Sequence, residues 1–304
     1  MPDMSVTLAG VPLKNPILTA SGTFGFGREY AEYFDIGLLG GISVKGLTLR
    51  PRPGNPPPRV AETPGGMLNS VGLQNPGAAR FLSDELPRLR TVDTRVVANI
   101  SGNAPEEFAE LAAMLTVPGI DIIEVNISCP NIQDGGILFG SNPRSAAAVT
   151  AAARRATDKP LFVKLAPGVA DIAEIARAVA GAGADGLSLI NTLPGMRIDV
   201  HTRRPILRNN IGGLSGPAAL PVAVRAVWQV RRAVDLPIIG MGGVCTGEDA
   251  AELLLAGADA VAVGTAMFMD AAAPVRILGE LTGYCERHGV ERVRELTGGV
   301  VAWE

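Results

Sequence analysis

The chain has 304 residues, 47% hydrophobic but only 4% aromatic, with 37 glycines and 23 prolines. Its 27 basic and 30 acidic residues leave a net charge of −3 with neither sign clustered, which excludes a basic stripe for a nucleic-acid backbone. No apolar run reaches the about 18 residues that span a bilayer, and Met1-Pro-Asp-Met-Ser-Val lacks the basic and apolar regions of a signal peptide.

These features predict a cytoplasmic protein that binds neither membrane nor nucleic acid. The three cysteines, Cys129, Cys245 and Cys285, are too far apart for a disulfide framework or an iron–sulfur spacing. An aliphatic, glycine-rich composition without low-complexity runs suits buried parallel strands joined by tight turns.

In chain order, residues 5–14 (Ser-Val-Thr-Leu-Ala-Gly-Val-Pro-Leu-Lys) predict a hairpin that covers one end of the fold. Short β-rich runs follow at 16–21, 41–46, 96–101, 121–128, 161–166, 186–192, 237–242 and 260–265. Between and after them lie helical stretches at 76–90, 105–116, 143–156, 170–182, 217–234, 247–256 and 270–288. Asn103-Ala-Pro-Glu-Glu and Thr246-Gly-Glu-Asp have the composition of helix starts, and Gly183 and Gly257 that of helix ends. Strands that alternate with helices without a break in composition predict one closed (β/α)8 TIM barrel over residues 1–304, a single domain. An open doubly wound sheet is the rival architecture. Gly183-Ala-Asp-Gly-Leu-Ser-Leu-Ile-Asn-Thr and Gly257-Ala-Asp-Ala-Val-Ala-Val-Gly-Thr-Ala read as two equivalent units of one barrel. Gly181-Ala-Gly-Ala-Asp-Gly matches the dinucleotide-binding glycine pattern, but it follows a helix and precedes a strand, the reverse of what that site requires.

Three long connections, 47–75, 130–142 and 193–214, follow strand C-termini, the face on which barrels carry active sites. The Pro-rich stretch 50–59 reads as a stiff surface loop. Lys45 and Lys164 sit in otherwise apolar strands, and an ammonium there should face an anion or a polar ligand. Asn69, Asn99, Asn126, Asn131 and Asn191 recur at strand ends, where amides that donate and accept can grip a flat heterocycle. Cys129, in Val125-Asn-Ile-Ser-Cys-Pro-Asn131, leaves a strand for a loop, as a thiol base would. Cys245 and Cys285 read as small buried residues. Gly240-Met-Gly-Gly-Val and Gly264-Thr after the last two strands let backbone N–H groups approach a phosphate. His201 and His288 have no spaced partners for a metal, and there is no Gly-x-Ser-x-Gly elbow.

Over nearly its whole length the sequence resembles class 1 dihydroorotate dehydrogenases, most closely class 1B catalytic subunits. The resemblance rests on Asn69-Ser-Val-Gly-Leu-Gln-Asn75, Val125-Asn-Ile-Ser-Cys-Pro-Asn131, Asn191-Thr-Leu-Pro-Gly-Met-Arg197, Gly212-Gly-Leu-Ser-Gly-Pro217 and Gly240-Met-Gly-Gly243. It implies FMN across the barrel mouth, with Ala20, Ser21, Lys45, Gly46, Asn99, Asn126, Lys164 and Ile190 around the ring and ribityl chain. Gly216, Gly242, Gly243, Gly264 and Thr265 would take the phosphate. Dihydroorotate would be held by Lys45, Asn69, Gly72, Leu73, Asn126, Asn191 and Thr192. Cys129 would be the catalytic base at C5 while the C6 hydride passes to flavin, giving orotate for pyrimidine biosynthesis.

Class 2 enzymes of this family resemble a different pattern, with a serine base and an N-terminal amphipathic extension. The Gly-Gly that follows the cysteine loop and Gly195-Met-Arg are similar to class 1B. That class implies a partner subunit with FAD and a 2Fe–2S cluster that delivers electrons to NAD+, in a heterotetramer of two catalytic and two electron-transfer subunits around a homodimer of catalytic chains. The alternatives are a related flavin barrel acting on another pyrimidine, as in dihydropyrimidine dehydrogenase, and a non-redox barrel that binds a phosphorylated ligand.

Overall fold

Eight short segments in which nearly every residue is buried form the centre of the molecule. The computed structural model describes residues 1–128 and 139–303. The segments are β1 (Ile17–Thr19), β2 (Gly41–Ser43), β3 (Arg95–Ile100), β4 (Ile122–Asn126), β5 (Leu161–Lys164), β6 (Gly186–Leu189), β7 (Ile238–Met241) and β8 (Ala260–Val263). They pair in parallel and in chain order, and β8 closes back onto β1. Seven strands fall within the runs expected from sequence and β3 starts one residue before its run, and closure excludes the open-sheet rival. Strands covered on both faces need no alternation of polar and apolar residues, which is why they read as continuous apolar runs.

Helices Pro105–Met114, Pro143–Arg155, Ile172–Gly181, Leu220–Arg231, Gly247–Ala256 and Ala273–Arg287 pack around the strands. Asn142 and Asp171 cap two of them by accepting backbone N–H bonds from the first turn. Thr246 and Asp249 form a reciprocal capping box, as the Thr246 start signal predicted. At the other expected start a helix begins at Pro105 with Ala104 in the cap position, and the Glu107 carboxylate reaches back to the Asn103 N–H at 2.8 Å.

The two Gly-Ala-Asp repeats do the same work. Asp185 Oδ2 accepts from the Leu161 N–H at 2.8 Å and from Arg154 Nη1 at 2.5 Å. Asp259 Oδ2 accepts from the Ile238 N–H at 2.8 Å and from Arg231. In each unit the aspartate clamps the start of the preceding strand to the arginine that ends the preceding helix. Gly181 ends a helix and Gly186 opens a strand, so the glycine pattern at 181–186 has the reversed order that its reading assumed.

The strand pair Val6–Leu8 and Val11–Leu13 forms the expected hairpin. Its Pro12 carbonyl accepts from Arg95, the first residue of β3, which places it at the N-terminal end of the barrel. The opposite end differs from the sequence reading. The connections 47–75 and 193–214 are not simple loops: Val60–Thr63, Gly66–Asn69, Gly212–Ser215 and Leu193–Gly195 join in one antiparallel four-stranded sheet. These strands are three or four residues long and carry Gly-Gly, Leu-Pro-Gly and Gly-Met, so neither length nor periodicity announced them.

Inside the barrel the fill changes from bottom to top. Gly186 admits the Phe162 ring; a Cβ there would lie 2.2 Å from it. Above this layer the inward positions turn polar, with Asn99, Glu124, Asn126, Lys164 and Ser188 all nine-tenths or more buried.

Candidate functional site

Asn99, Asn126 and Lys164 of this polar layer form the floor of a cavity of about 370 Å³ at the C-terminal mouth of the barrel. Every barrel strand contributes to its wall. Ala20 and Ser21 follow β1, Lys45 and Gly46 follow β2, and Asn99, Asn126 and Lys164 close β3, β4 and β5. Ile190, Asn191 and Thr192 follow β6, Gly242 and Gly243 follow β7, and Gly264 and Thr265 follow β8. Asn69, Gly72, Leu73 and Gly216 reach in from the connections that carry the four-stranded sheet. All residues expected to bind cofactor or substrate therefore line one cavity. Cys129 and Asn131 lie outside the described residues.

Register places the floor. Asn99 pairs with Glu124 across β3 and β4, Asn126 pairs with Lys164 across β4 and β5, and Lys164 pairs with Ser188 across β5 and β6. Side chains in such pairs point the same way, so these five converge inside the barrel. Lys164 is 4% exposed, and its Nζ donates to Ser21 Oγ at 3.1 Å. No carboxylate among the described residues lies within ion-pair distance of it. An ammonium buried in this way costs several kcal/mol, about the scale that an electron-rich ligand atom in the cavity would offset.

The asparagines divide their work. Asn126 commits Oδ1 to the N–H and the hydroxyl of Ser128, at 3.2 and 2.9 Å, leaving its Nδ2 end for the cavity. Asn191 donates to Ser128 Oγ at 2.7 Å and accepts from the Thr192 N–H at 2.8 Å. Ser128, the residue before Cys129, is thus held from two strand ends. Asn69 donates to the Gly213 carbonyl at 3.4 Å across the four-stranded sheet. Asn75 organises the loop beneath, bridging Thr48, the Leu73 carbonyl and the Gly77 N–H. The loop it supports holds Leu73 at φ 54 on the cavity wall.

At the other end of the cavity the wall is mostly backbone. Gly243 has φ +85, and a Cβ on it would lie 2.5 Å from the Leu220 nitrogen at the start of helix Leu220–Arg231. This close approach leaves main-chain surface beside a helix N-terminus, an arrangement that suits a phosphate. Thr265 Oγ1 donates to Ser215 Oγ at 2.8 Å, which links the β8 loop to the four-stranded sheet.

Cys285 is fully buried in the core, as read from sequence. Cys245 departs from that reading, because it is half-buried and lines the cavity. Burial and the nearby Asp249 carboxylate push its thiol pKa up, which disfavours the thiolate. The sequence reading also passed over Glu124 and Ser188. Glu124 is 1% exposed and accepts from Asn99 Nδ2 and Ser188 Oγ, each at 2.5 Å. Its signal was available: a charged residue in Ile-Ile-Glu-Val-Asn is as anomalous as Lys164 in Leu-Phe-Val-Lys. Among the described residues no three His, Cys, Asp or Glu side chains converge as metal ligands, and no helix is long and apolar enough to cross a membrane.

The family model for dihydroorotate dehydrogenase matches residues 3–284. Among curated proteins, the chain is 55% identical over 300 residues to the dihydroorotate dehydrogenase B (NAD+) catalytic subunit of Pelobacter propionicus, covering 98% of this chain and 99% of that one. The subunit of the same name from Geotalea daltonii is 54% identical over 300 residues, covering 98% of each chain. That of Alkaliphilus metalliredigens is 52% identical over 298 residues, covering 98% of this chain and 99% of that one. Among solved structures, a DHODH from Eimeria tenella in complex with ferulenol superposes with a TM-score of 0.81 at 23% identity, over 98% of this chain and 89% of that one. That likeness shows a shared fold.

Proposed function

The chain belongs to the dihydroorotate dehydrogenase family, and from that premise we propose that it oxidises dihydroorotate to orotate with FMN bound across the barrel mouth. The observation that carries this reading is the convergence of the expected cofactor and substrate residues, from all eight strands, on one cavity. The cavity also suits the cofactor chemically. A flat heterocycle with carbonyl and N–H edges fits the buried amides and Lys164, and a phosphate fits the glycine-lined end. Buried amides and an ammonium around an apolar ligand body are what a ring cofactor needs to be oriented as well as held.

The reaction removes a proton from C5 and a hydride from C6 of the substrate and leaves the C5–C6 double bond of orotate. Bound FMN supplies the hydride acceptor. Cys129 takes the proton, and the bonds that tie Ser128 to Asn126 and Asn191 fix the strand end from which that thiol departs. Lys45 pairs with the substrate carboxylate, while Asn69, Asn126, Asn191, Thr192, Gly72 and Leu73 hold the ring. Lys164, buried on the cavity floor, would supply positive charge to an electron-rich edge of a bound flavin.

The relatives' names describe catalytic subunits of an NAD+-linked enzyme. In this chain the glycine pattern at 181–186 sits between helix and strand, where no nicotinamide could use it. Both points favour a partner subunit with FAD and a 2Fe–2S cluster that passes electrons to NAD+, in a heterotetramer built on a dimer of catalytic chains.

The test is anaerobic. The chain is purified, loaded with FMN, and titrated separately with dihydroorotate and with dihydrouracil while the visible spectrum is recorded. Bleaching by dihydroorotate alone is the expected result. Bleaching by dihydrouracil alone would move the substrate to other pyrimidines, and failure to take up FMN would overturn the flavin reading.

A further inference from the structure

Glu124, beneath the cavity floor, is the one buried carboxyl group among the described residues, and the proposed reaction does not use it. Its two oxygens are committed, Oε2 to Asn99 Nδ2 and Oε1 to Ser188 Oγ, both at 2.5 Å. Among the described residues no Lys, Arg or His forms an ion pair with it. Burying a carboxyl group in this position costs stability, and an apolar residue of the same size would usually serve folding as well. Its presence therefore calls for a role besides stability.

The role follows from hydrogen-bond geometry. The Asn99 amide gives its Nδ2 end to Glu124 Oε2, while Ser188 holds the other carboxyl oxygen. The carbonyl Oδ1 must then point the other way, toward Gly46, where a Cβ would lie 2.7 Å from it. That oxygen is buried and has no hydrogen-bond partner among the described residues, although Asn99 lines the cavity. An orphaned acceptor of this kind destabilises the free protein, and a ligand N–H that meets it relieves the penalty.

We propose that Glu124 is a positioning residue that locks the Asn99 amide with its carbonyl toward the cofactor, so that the site selects a ring carrying an imide N–H. The inference rests on the FMN reading above, since oxidised isoalloxazine carries one such group, at N3. Glu124 does not touch the cofactor; it acts through Asn99, and Ser188 holds its other oxygen in place.

The experiment compares FMN with 3-deaza-FMN, in which the N3–H is replaced by CH2, by titrating each into apoprotein. Wild type should prefer FMN on the order of tenfold, the scale of one hydrogen bond to an otherwise unsatisfied buried acceptor. Glu124→Leu frees the amide to turn, and the preference should fall to within about twofold. A Glu124 with a merely structural role would change the melting temperature and leave this ratio unmoved. Should Glu124→Leu not fold, Glu124→Met, unbranched and nearer the glutamate in shape, removes the same acceptor and should give the same fall, and Asn99→Ala, which removes the carbonyl itself, should abolish the preference. A ratio retained in any of these variants, or a wild type that binds FMN without preferring it, overturns the proposal while leaving the flavin reading intact. A wild type that binds neither flavin overturns both.

Discussion

The lower and upper halves of the barrel interior are built on the same eight strands and are filled by opposite means. Below, Phe162 occupies the space that Gly186 leaves, and Leu18 lies over Gly41, where a Cβ would come within 2.9 Å of it. That half is a packed hydrocarbon core, and its energy comes from shape and burial. Above, Asn99, Asn126, Lys164 and Ser188 replace hydrocarbon with amides, an ammonium and a hydroxyl that are no less buried. The boundary runs between neighbours: Glu124 and Phe162 are register partners on β4 and β5. A parallel barrel therefore keeps its fold with half of its interior and gives the other half to chemistry. Substitutions in the two halves should separate stability from function.

The sharpest division comes from Cys129→Ala, which should lower turnover by about 10²-fold or more while FMN remains bound and the melting temperature changes little. Steady-state rates with the flavin absorbance as internal standard check this, and retained turnover would remove Cys129 from the mechanism. In the lower half, Phe162→Ala should cost about 3–5 kcal/mol of stability through the cavity it leaves. Urea unfolding of the apoprotein measures that loss. A fully stable variant would mean that the lower half is not the packed core described here.

Lys45→Ala should weaken orotate binding by about tenfold to a hundredfold, the scale of a charge-assisted hydrogen bond, with FMN affinity less affected. Unchanged orotate affinity would count against pairing with the carboxylate. The smallest effect is expected outside the barrel lumen. Thr246→Ala removes the side chain that caps helix Gly247–Ala256 and should cost about 1 kcal/mol without altering substrate affinity.

How much of this was legible in the sequence depends on the half in question. The strands announced themselves because burial on both faces makes unbroken apolar runs such as Ala260-Val-Ala-Val263. The Gly-Ala-Asp repeats were visible because each aspartate has the same two partners in space. The site residues were legible through polar anomalies at strand ends, Lys45 and Lys164 above all, and through the family resemblance.

Two things were hidden. The four-stranded sheet joins Gly66–Asn69 to Gly212–Ser215, segments far apart in the chain whose glycines and prolines locally favour turns. Its pairing is decided by tertiary contact, which no window of sequence reports. The partners of Glu124 were hidden too, although its own charge in an apolar run was visible: Asn99 comes from the adjacent strand β3 and Ser188 from β6, across the barrel interior beyond β5, so they meet only in the folded barrel. The start at Asn103-Ala-Pro-Glu-Glu was legible as well, since a helix begins at Pro105, but not that the Glu107 carboxylate would reach back to the Asn103 N–H.

The most direct test of the central claim is a crystal structure of the chain with FMN and orotate. The phosphate should lie against Gly216, Gly242, Gly243 and Gly264, the ring system should meet Lys164 and the Asn99 carbonyl, and the orotate carboxylate should meet Lys45. A flavin bound elsewhere, or in the reverse orientation with its phosphate on Lys164, would contradict the account.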